Sequence, residues 1–174
     1  NGTYYNVSYY LVEWKNPQLN TATPINGYYA VINGDEAETN GFDVELSGTV
    51  GNFDWGFGYA YNQSRLTSDL FTPADTPVLY AKSGAKLPGS PEHTLNLSLA
   101  RTRYFSGRGG IFSGFVNRLD IYAQSETRNY IGSDPLYDAE FEDFRISNAS
   151  TTFFNDSFYV SLFIKNISNE RGIT

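Results

Sequence analysis

The stretch FDVELSGTVGNFDWGFGYAY, residues 42–61, decides the fold that this sequence predicts. In its first half, apolar residues and one glycine alternate with the polar residues Asp43, Glu45, Ser47 and Thr49. In its second half, every other residue from Phe53 to Tyr61 is aromatic. Because successive side chains on a strand point to opposite faces, each half predicts a strand with one apolar and one polar face.

Gly51-Asn52 predicts a two-residue turn between these strands, with glycine first as a type II′ turn prefers. The turn predicts three apolar pairs across the hairpin, namely Val50 with Phe53, Leu46 with Phe57, and Phe42 with Tyr61. The two apolar faces then coincide. Gly48 falls opposite Trp55, whose ring can cover the space left by the missing side chain.

Further segments repeat the alternation, at residues 3–14, 93–99, 115–128, 144–154 and 158–165. With the hairpin they give seven predicted strands. In residues 144–154 the sequence leaves open which residues share the apolar face, because a turn near Asn155 could hold an odd or an even number of residues. Residues 28–40 are predicted to extend the strand of Phe42.

The predicted connections alternate in length along the chain. The connections at 15–27, 67–91 and 132–143 are long, whereas those at 51–52, 106–110 and 155–156 are short. Outer-membrane barrels have short turns on the periplasmic side and long loops outside. A soluble sandwich has no reason to sort its loops in this way, so the pattern favours a membrane barrel.

The composition agrees with a barrel wall and excludes several classes of function. Aromatic residues make up 17% and charged residues 18%, against about 25% charged in an average globular domain. A net charge of −7 argues against nucleic acid as a partner. The absence of cysteine excludes disulfides and thiolate metal sites. There is no methionine, even at position 1, so we expect a longer parent chain.

Charged side chains fall almost entirely on the polar positions. We predict that these residues face the barrel lumen: Asp43, Glu45, Asp54, Arg118, Asp120, Glu126, Arg128 and Lys165. A lipid-facing arginine or lysine near the middle of a bilayer would cost about 2–4 kcal/mol, so a true membrane face must be nearly free of them. Arg101 and Arg103 break the pattern, but they lie beside the SGRGG turn and could reach lipid headgroups. Glu36 and Glu38 occupy positions that the alternation assigns to the apolar face, so we expect them to project above the lipid.

The alternative from pattern alone is a soluble β-sandwich, whose strands also alternate with one face buried.

Four stretches together resemble the C-terminal part of the barrel of TonB-dependent outer-membrane receptors. They are NVSYYLVEWKNPQLN (6–20), NGDEAETNGFDVELSG (33–48), GAKLPGSPEHTLNLSL (84–99) and FYVSLFIKNISNER (158–171). The resemblance implies an all-β fold: an antiparallel transmembrane β-barrel fragment, about seven strands of a barrel of about 22. Residues 1–174 would then be a partial barrel domain, with the plug domain and the final strand absent.

The resemblance also implies a function and its partners. It implies a bacterial outer-membrane receptor that imports a scarce small-molecule substrate, a ferric siderophore or a carbohydrate. The partners it implies are the receptor's own plug domain, the remaining barrel strands, outer-membrane lipid and the inner-membrane TonB complex. No cofactor is expected. The alternatives are a soluble all-β carbohydrate-binding module, and a barrel enzyme with a converging nucleophile and base.

Few residues in the sequence have catalytic potential. His93 is the single histidine, so we expect a structural role. Carboxylates two apart, such as Asp43 and Glu45, point to the same side of a strand without a dedicated acid–base partner, so we predict no enzyme. We predict Tyr28, Tyr29 and Tyr80, in or beside long loops, as substrate-binding rings, with membrane-interface anchoring as the alternative. The acidic loop could hold a divalent cation or be merely solvated, at Asp134, Asp138, Glu140, Glu142 and Asp143.

Overall fold

The computed structural model describes residues 2–22, 29–72, 75–106, 110–131 and 139–171. Its strands in chain order are β1 (Gly2–Lys15), β2 (Gln18–Ala22), β3 (Tyr29–Asn33), β4 (Glu36–Val50), β5 (Phe53–Leu66), β6 (Leu70–Phe71), β7 (Leu79–Ala81), β8 (His93–Tyr104), β9 (Gly114–Gln124), β10 (Thr127–Arg128), β11 (Glu140–Phe141), β12 (Phe144–Phe154) and β13 (Tyr159–Ile164). Within these ranges, no helix is long and apolar enough to cross a bilayer.

Seven of the strands form one antiparallel sheet in the order β1-β4-β5-β8-β9-β12-β13. This confirms the all-β class and the seven-stranded antiparallel arrangement. The sheet is open, with β1 and β13 at its two edges. The other six strands form three small hairpins, β2–β3, β6–β7 and β10–β11. All three hairpins belong to the long connections, so one end of the sheet is the long-loop end and the opposite end is the short-turn end.

The β4–β5 hairpin has the predicted register. Its partners include Val50 with Phe53, Leu46 with Phe57, Gly48 with Trp55, and Phe42 with Tyr61. Gly51 has a φ of 61°, which glycine adopts without strain at the first position of such a turn. A Cβ atom at Gly48 would stand 3.0 Å from the Trp55 ring, so the indole covers this glycine as expected.

The strand pairing also shows which residues of β12 lie on the apolar face, a point that the sequence left open. Ala149 lies opposite Leu119 of β9 and Ile164 of β13. It therefore shares a face with the apolar residues of the neighbouring strands. The hairpin between β12 and β13 closes at the pair Phe154–Tyr159, so four residues lie between them.

Three long connections are more ordered than predicted. The loop expected at 15–27 contains β2, the stretch 67–91 contains β6 and β7, and the acidic loop contains β11. The prediction of one continuous strand over 28–40 was wrong at Gly34-Asp35, where β3 ends and β4 has not begun. There the chain turns against Pro17, whose carbonyl accepts a 2.8 Å hydrogen bond from the Gly34 amide. Likewise, the segment expected at 115–128 divides into β9 and β10.

The two faces of the sheet differ sharply in chemistry. The apolar face carries the rows that begin with Tyr5–Leu46–Phe57–Leu97–Ile121 and Val7–Val44–Tyr59–Leu95–Ala123. The polar face carries rows such as Asn6–Glu45–Gly58–Asn96–Tyr122. Many apolar-face side chains are open to the surroundings, Tyr5 at 75% and Leu162 at 64%. A soluble sandwich would bury this face against a second sheet, and the described residues form no such layer.

The buried core lies among the long connections instead. Eight residues pack together there: Leu19, Ile32, Ala37, Leu66, Leu70, Ala81, Leu87 and Ile131. Six of them lie in β2, β3, β6 and β7 and at the adjoining ends of β4 and β5, whereas Leu87 lies in the connection before β8 and Ile131 in the connection after β10. We call this set the loop core. It joins the long connections into one packed layer at the long-loop end of the sheet.

Candidate functional site

The polar face is the first candidate, because register brings charges from separate strands onto it. Asp43 and Glu45 of β4 share this face with Asp54 of β5, which lies opposite Thr49. Arg118 and Asp120 of β9 join them through the rows Asp54–Ala100–Arg118 and Gly56–Ser98–Asp120. Five of the eight predicted lumen-facing residues therefore lie on one surface of the main sheet.

Arg118 and Asp120 form the best-defined ion pair on this face. The Arg118 Nε atom donates to Asp120 Oδ2 at 2.7 Å, and its Nη2 atom donates to Oδ1 at 2.8 Å. Residues two apart on a strand point to the same side, which lets the planar guanidinium meet both oxygens. Both side chains stay partly exposed. The pair is thus neutral as a whole while keeping hydrogen-bonding groups open to a partner.

The other carboxylates of the polar face are less engaged. Asp54 accepts a 2.6 Å hydrogen bond from the Thr49 hydroxyl across the hairpin. Within the described ranges, the side-chain carboxylates of Asp43 and Glu45 take part in no hydrogen bond or ion pair. Their register partners on β5 are Ala60 and Gly58, which carry no bulky side chain. The face therefore offers free acceptors next to a strip without bulky side chains.

The remaining three predicted lumen-facing residues lie elsewhere. Lys165 follows β13, and its Nζ atom is 5.6 Å from the centre of the Phe163 ring. Phe163 is the register partner of Ser150 on the polar face. Glu126 and Arg128 are outside the main sheet, because β9 ends at Gln124 and Arg128 belongs to the β10–β11 hairpin. The lumen orientation of the whole set stays a prediction.

The loop core determines the setting of the predicted substrate-binding tyrosines. Tyr80 in β7 packs against the loop core, and its ring centre is 5.6 Å from that of Tyr130 in an edge-to-face contact. Tyr29 begins β3. Tyr28 lies outside the described residues. Substrate binding by these rings stays a prediction, and Tyr80 has a packing role in addition.

The GAKLPGSPEHT stretch is held to the sheet by a chain of polar contacts that sequence reasoning missed. The Thr39 and Ser64 hydroxyls are 2.9 Å apart, and Ser90 donates to Ser64 at 3.2 Å. The Asn62 amide donates to Ser90 at 2.6 Å. These hydroxyl and amide groups fasten the long connection before β8 across the ends of β4 and β5. Asn62 and Ser64 are two residues apart, so their side chains lie on the same face of a strand. This spacing was the sequence feature that could have indicated the contacts.

An ion pair joins two residues of the same connection. Lys86 Nζ donates to Glu92 Oε2 at 3.0 Å. This hydrogen bond from Lys86 is the main cause of a lowered pKa of the Glu92 carboxyl, and partial burial opposes it. Glu92 is therefore ionised at neutral pH and fixes the loop directly before β8.

His93 lies among aromatic side chains, and the structural role expected for it stays a prediction. Its Nδ1 atom is 2.8 Å from the Tyr59 hydroxyl, and its ring lies against those of Tyr59 and Tyr61. A groove of about 530 Å³ adjoins it, lined in part by Leu95 and Ala123. Leu95 and Ala123 belong to the apolar face. The same groove is also lined by Glu92, Asp143 and Glu126, the last of which is one of the predicted lumen-facing residues.

The acidic connection gives no cation site within the described residues. No three carboxylate or histidine side chains gather there to hold a metal ion. Glu140 instead pairs with Arg128 at 3.4 Å. Asp134 and Asp138 lie outside the described ranges, so the cation hypothesis for the loop is untested.

Comparison with known proteins identifies the architecture. The family model described as "TonB dependent receptor-like, beta-barrel" matches residues 1–169. Among solved structures, the siderophore receptor PiuA from Acinetobacter baumannii is similar over 98% of this chain, with a TM-score of 0.69 and 16% sequence identity. At that identity the likeness shows the fold alone. This chain covers 22% of the PiuA chain. No curated protein matches significantly.

Proposed function

The chain belongs to the TonB-dependent receptor-like β-barrel family, and on that premise we propose that it forms part of the wall of a plugged barrel in the bacterial outer membrane. The barrel imports a scarce solute across that membrane. The single observation that carries the proposal is the two-faced open sheet. From Phe42 to Val50 and from Phe53 to Tyr61, its apolar face carries no charge, while the charged residues of these strands point to the other side.

The two faces have different partners in this proposal. The apolar face contacts outer-membrane lipid, where the wall must be almost free of arginine and lysine. The polar face contacts the receptor's plug domain, and Asp43, Glu45 and the Arg118–Asp120 pair supply hydrogen-bonding groups to it. The edge strands β1 and β13 pair with the remaining barrel strands, because an unpaired edge in lipid leaves backbone groups without hydrogen bonds. Residues 1–174 are then one partial barrel domain.

The long connections form the entrance. The loop core holds their hairpins together, and Tyr28, Tyr29 and Tyr80 are proposed to contact the solute with their rings. The solute is a ferric siderophore or a carbohydrate, since both classes offer surfaces on which aromatic rings stack. The inner-membrane TonB complex acts on the plug, and the described residues do no covalent chemistry. The matching family model is described as TonB-dependent receptor-like and the similar solved structure as a siderophore receptor, which supports a receptor role.

Uptake by cells tests the function. Cells with and without the receptor are supplied with a labelled ferric siderophore panel or a labelled oligosaccharide panel, in the presence and absence of a working TonB complex. We expect uptake of one solute class to require both. If loss of the receptor, or loss of the TonB complex, leaves the uptake of both solute classes unchanged, the proposal is contradicted.

Substitutions of Tyr80 test whether its ring contacts the solute at the entrance. Tyr80→Leu should lower solute affinity, whereas Tyr80→Phe, which keeps the ring, should retain it. Val78→Ala is the matched control, because Val78 lies two residues away in the same connection and is exposed. Equal affinity for Tyr80→Leu and the control would remove Tyr80 from the solute site.

A soluble carbohydrate-binding module is the alternative function, and solubility distinguishes the two. The receptor should be recovered from the outer-membrane fraction and require detergent. A monomer that is stable in water without detergent or lipid, and that binds oligosaccharides, would support the alternative instead.

A further inference from the structure

The apolar face contains one polar patch near the short-turn end. Its members are Arg101 and Arg103 of β8, Asn117 of β9 and Thr151 of β12. Arg101 lies opposite Asn117, and Asn117 lies opposite Thr151, so three of them form a single row across three strands. Arg103 lies in the next row on the same face, about 7 Å along the strand. Elsewhere on β8 this face carries Leu95, Leu97 and Leu99 and, at the long-loop end, His93.

The donors of this patch are free for a ligand. Arg101, Arg103 and Asn117 are exposed. Thr151 Oγ1 donates to Asn117 Oδ1 at 2.9 Å, and this contact leaves the Asn117 amide nitrogen available as a donor. Within the described ranges neither guanidinium takes part in an ion pair or side-chain hydrogen bond. The patch therefore presents two cations and a neutral amide donor, and none of its four members carries a carboxylate.

The surroundings favour an anion attached to an apolar chain. The three rows nearest the short-turn end on this face contain no aspartate or glutamate in the described strands. Phe53 lies opposite Arg101 and Phe115 lies opposite Arg103, with Phe153 next to Phe115 in the same row. A guanidinium that faces lipid is tolerated near the interface when its charge meets a headgroup. Arginine also binds phosphate oxygens with two parallel hydrogen bonds.

We propose that Arg101, Arg103 and Asn117 bind the phosphate of an anionic phospholipid in the leaflet at the short-turn end of the sheet. The acyl chains of that lipid lie along Leu97 and Leu99. This inference rests on the proposed membrane location of the apolar face. It adds a lipid of a specific charge class as a ligand of the outer surface of the barrel, separate from the solute path.

Lipid titration of the complete receptor tests the site. The detergent-solubilised receptor is titrated with phosphatidylglycerol and with phosphatidylcholine of the same acyl chains, and bound lipids are counted by native mass spectrometry. We expect the wild type to prefer phosphatidylglycerol. The double variant Arg101→Gln/Arg103→Gln should weaken phosphatidylglycerol binding by about fivefold per arginine and leave phosphatidylcholine binding unchanged.

Arg145→Gln is the matched control. Arg145 is an exposed arginine of β12 with the parity of the apolar face, but it lies opposite Ala123 towards the long-loop end. Its substitution removes the same charge and should leave the lipid preference intact. Asn117→Ala is a second variant that keeps both arginines, and we expect it to weaken phosphatidylglycerol binding about fivefold.

The contrary results separate the two proposals. Equal binding of the two lipids by the wild type, equal weakening in Arg145→Gln, or full binding by both patch variants would overturn the lipid site while the barrel assignment stands. Recovery of the complete receptor in water, without detergent or lipid, would overturn the membrane location and the lipid site together.

Discussion

The phenol ring of Tyr10 lies directly across Gly41, so that a Cβ atom at position 41 would stand 2.6 Å from the Tyr10 hydroxyl oxygen. The two residues are register partners on β1 and β4. The Tyr10 hydroxyl also donates a long, 3.5 Å hydrogen bond to the carbonyl of Tyr61 on β5. One aromatic ring on the polar face thus ties three strands together over a glycine, and the space it occupies excludes any larger residue at position 41.

The substitution Gly41→Ala should therefore destabilise the barrel. A Cβ atom there meets both the Tyr10 ring and the Tyr61 carbonyl oxygen, so the ring or the backbone must shift. We expect a loss of about 1–3 kcal/mol in the free energy of unfolding, the range for overpacking at a filled site. Urea unfolding of the receptor in detergent micelles, followed by intrinsic fluorescence, measures it.

Gly58→Ala is the control for that measurement. Gly58 lies on the same face, but its nearest contact from an added Cβ atom would be Asn96 Cβ at 3.6 Å, an ordinary distance. Because alanine loses less backbone entropy than glycine, this variant should be neutral or gain about 0.5–1 kcal/mol. An equal loss in both variants would show that the Tyr10–Gly41 packing has no special role.

The loop core should make the long connections cooperative. Leu66 is 1% exposed and contacts residues from separate connections. We expect Leu66→Ala to cost about 2–5 kcal/mol in the stability of this layer, since it removes a filled apolar volume. Limited proteolysis of the receptor, with cleavage mapped to residues 67–91, reports the loosening. Val78→Ala, at an exposed position in the same connection, should leave the cleavage rate unchanged. Similar rates for Leu66→Ala and Val78→Ala would refute a packed layer.

The Lys86–Glu92 pair should give the long connection before β8 a dependence on pH. The pKa of Glu92 is lower in the folded protein, so its stabilising effect is fully present above the unfolded value of about 4.3 and is lost as pH falls through the folded pKa. The difference in Tm between wild type and Glu92→Gln should therefore be constant near pH 7 and vanish in acid. Because the pair is partly exposed, the effect should stay below about 1 kcal/mol.

A mutant cycle checks the cause of that dependence. In a Lys86→Met background, Glu92→Gln should change Tm by a smaller amount at pH 7, because the hydrogen bond that lowers the pKa is gone. A Tm difference that is the same in both backgrounds, or that grows in acid, would show that Lys86 is not the partner responsible.

The sequence predicted the parts of the fold in which period-two alternation is strict. The register of β4 and β5, including Trp55 over Gly48, followed from a two-residue turn and two unbroken apolar series. The sequence did not predict which residues of β12 lie on the apolar face. Its apolar face carries Ser147 and Thr151, while Phe144 and Ile146 lie on the polar face, so the two faces differ too little for a sequence pattern to separate them.

The loop hairpins and the loop core were missed for a different reason. Pro17 and the neighbouring turn-forming residues indicate irregular structure, yet β2 and β3 continue beyond the β1–β4 pair after a break at that proline. Leu19, Leu66 and Ile131 are far apart in the chain and belong to no periodic series. Their contact results from the sheet bringing the long connections together. Of the candidate site, the common face of Asp43, Asp54 and Asp120 was predictable from parity, whereas the Arg118–Asp120 geometry needed coordinates.

The proposed function requires lipid at the apolar face and water at the polar face, and thiol accessibility along β8 reports on both. This chain has no cysteine, so single cysteines can be placed at Asn96, Leu97, Ser98 and Leu99 of the complete receptor, with any other cysteines replaced. In native membranes, a small water-soluble thiol reagent should label positions 96 and 98 and spare 97 and 99, and a lipid-soluble reagent should show the opposite preference. Equal labelling of all four positions by the water-soluble reagent would contradict the account.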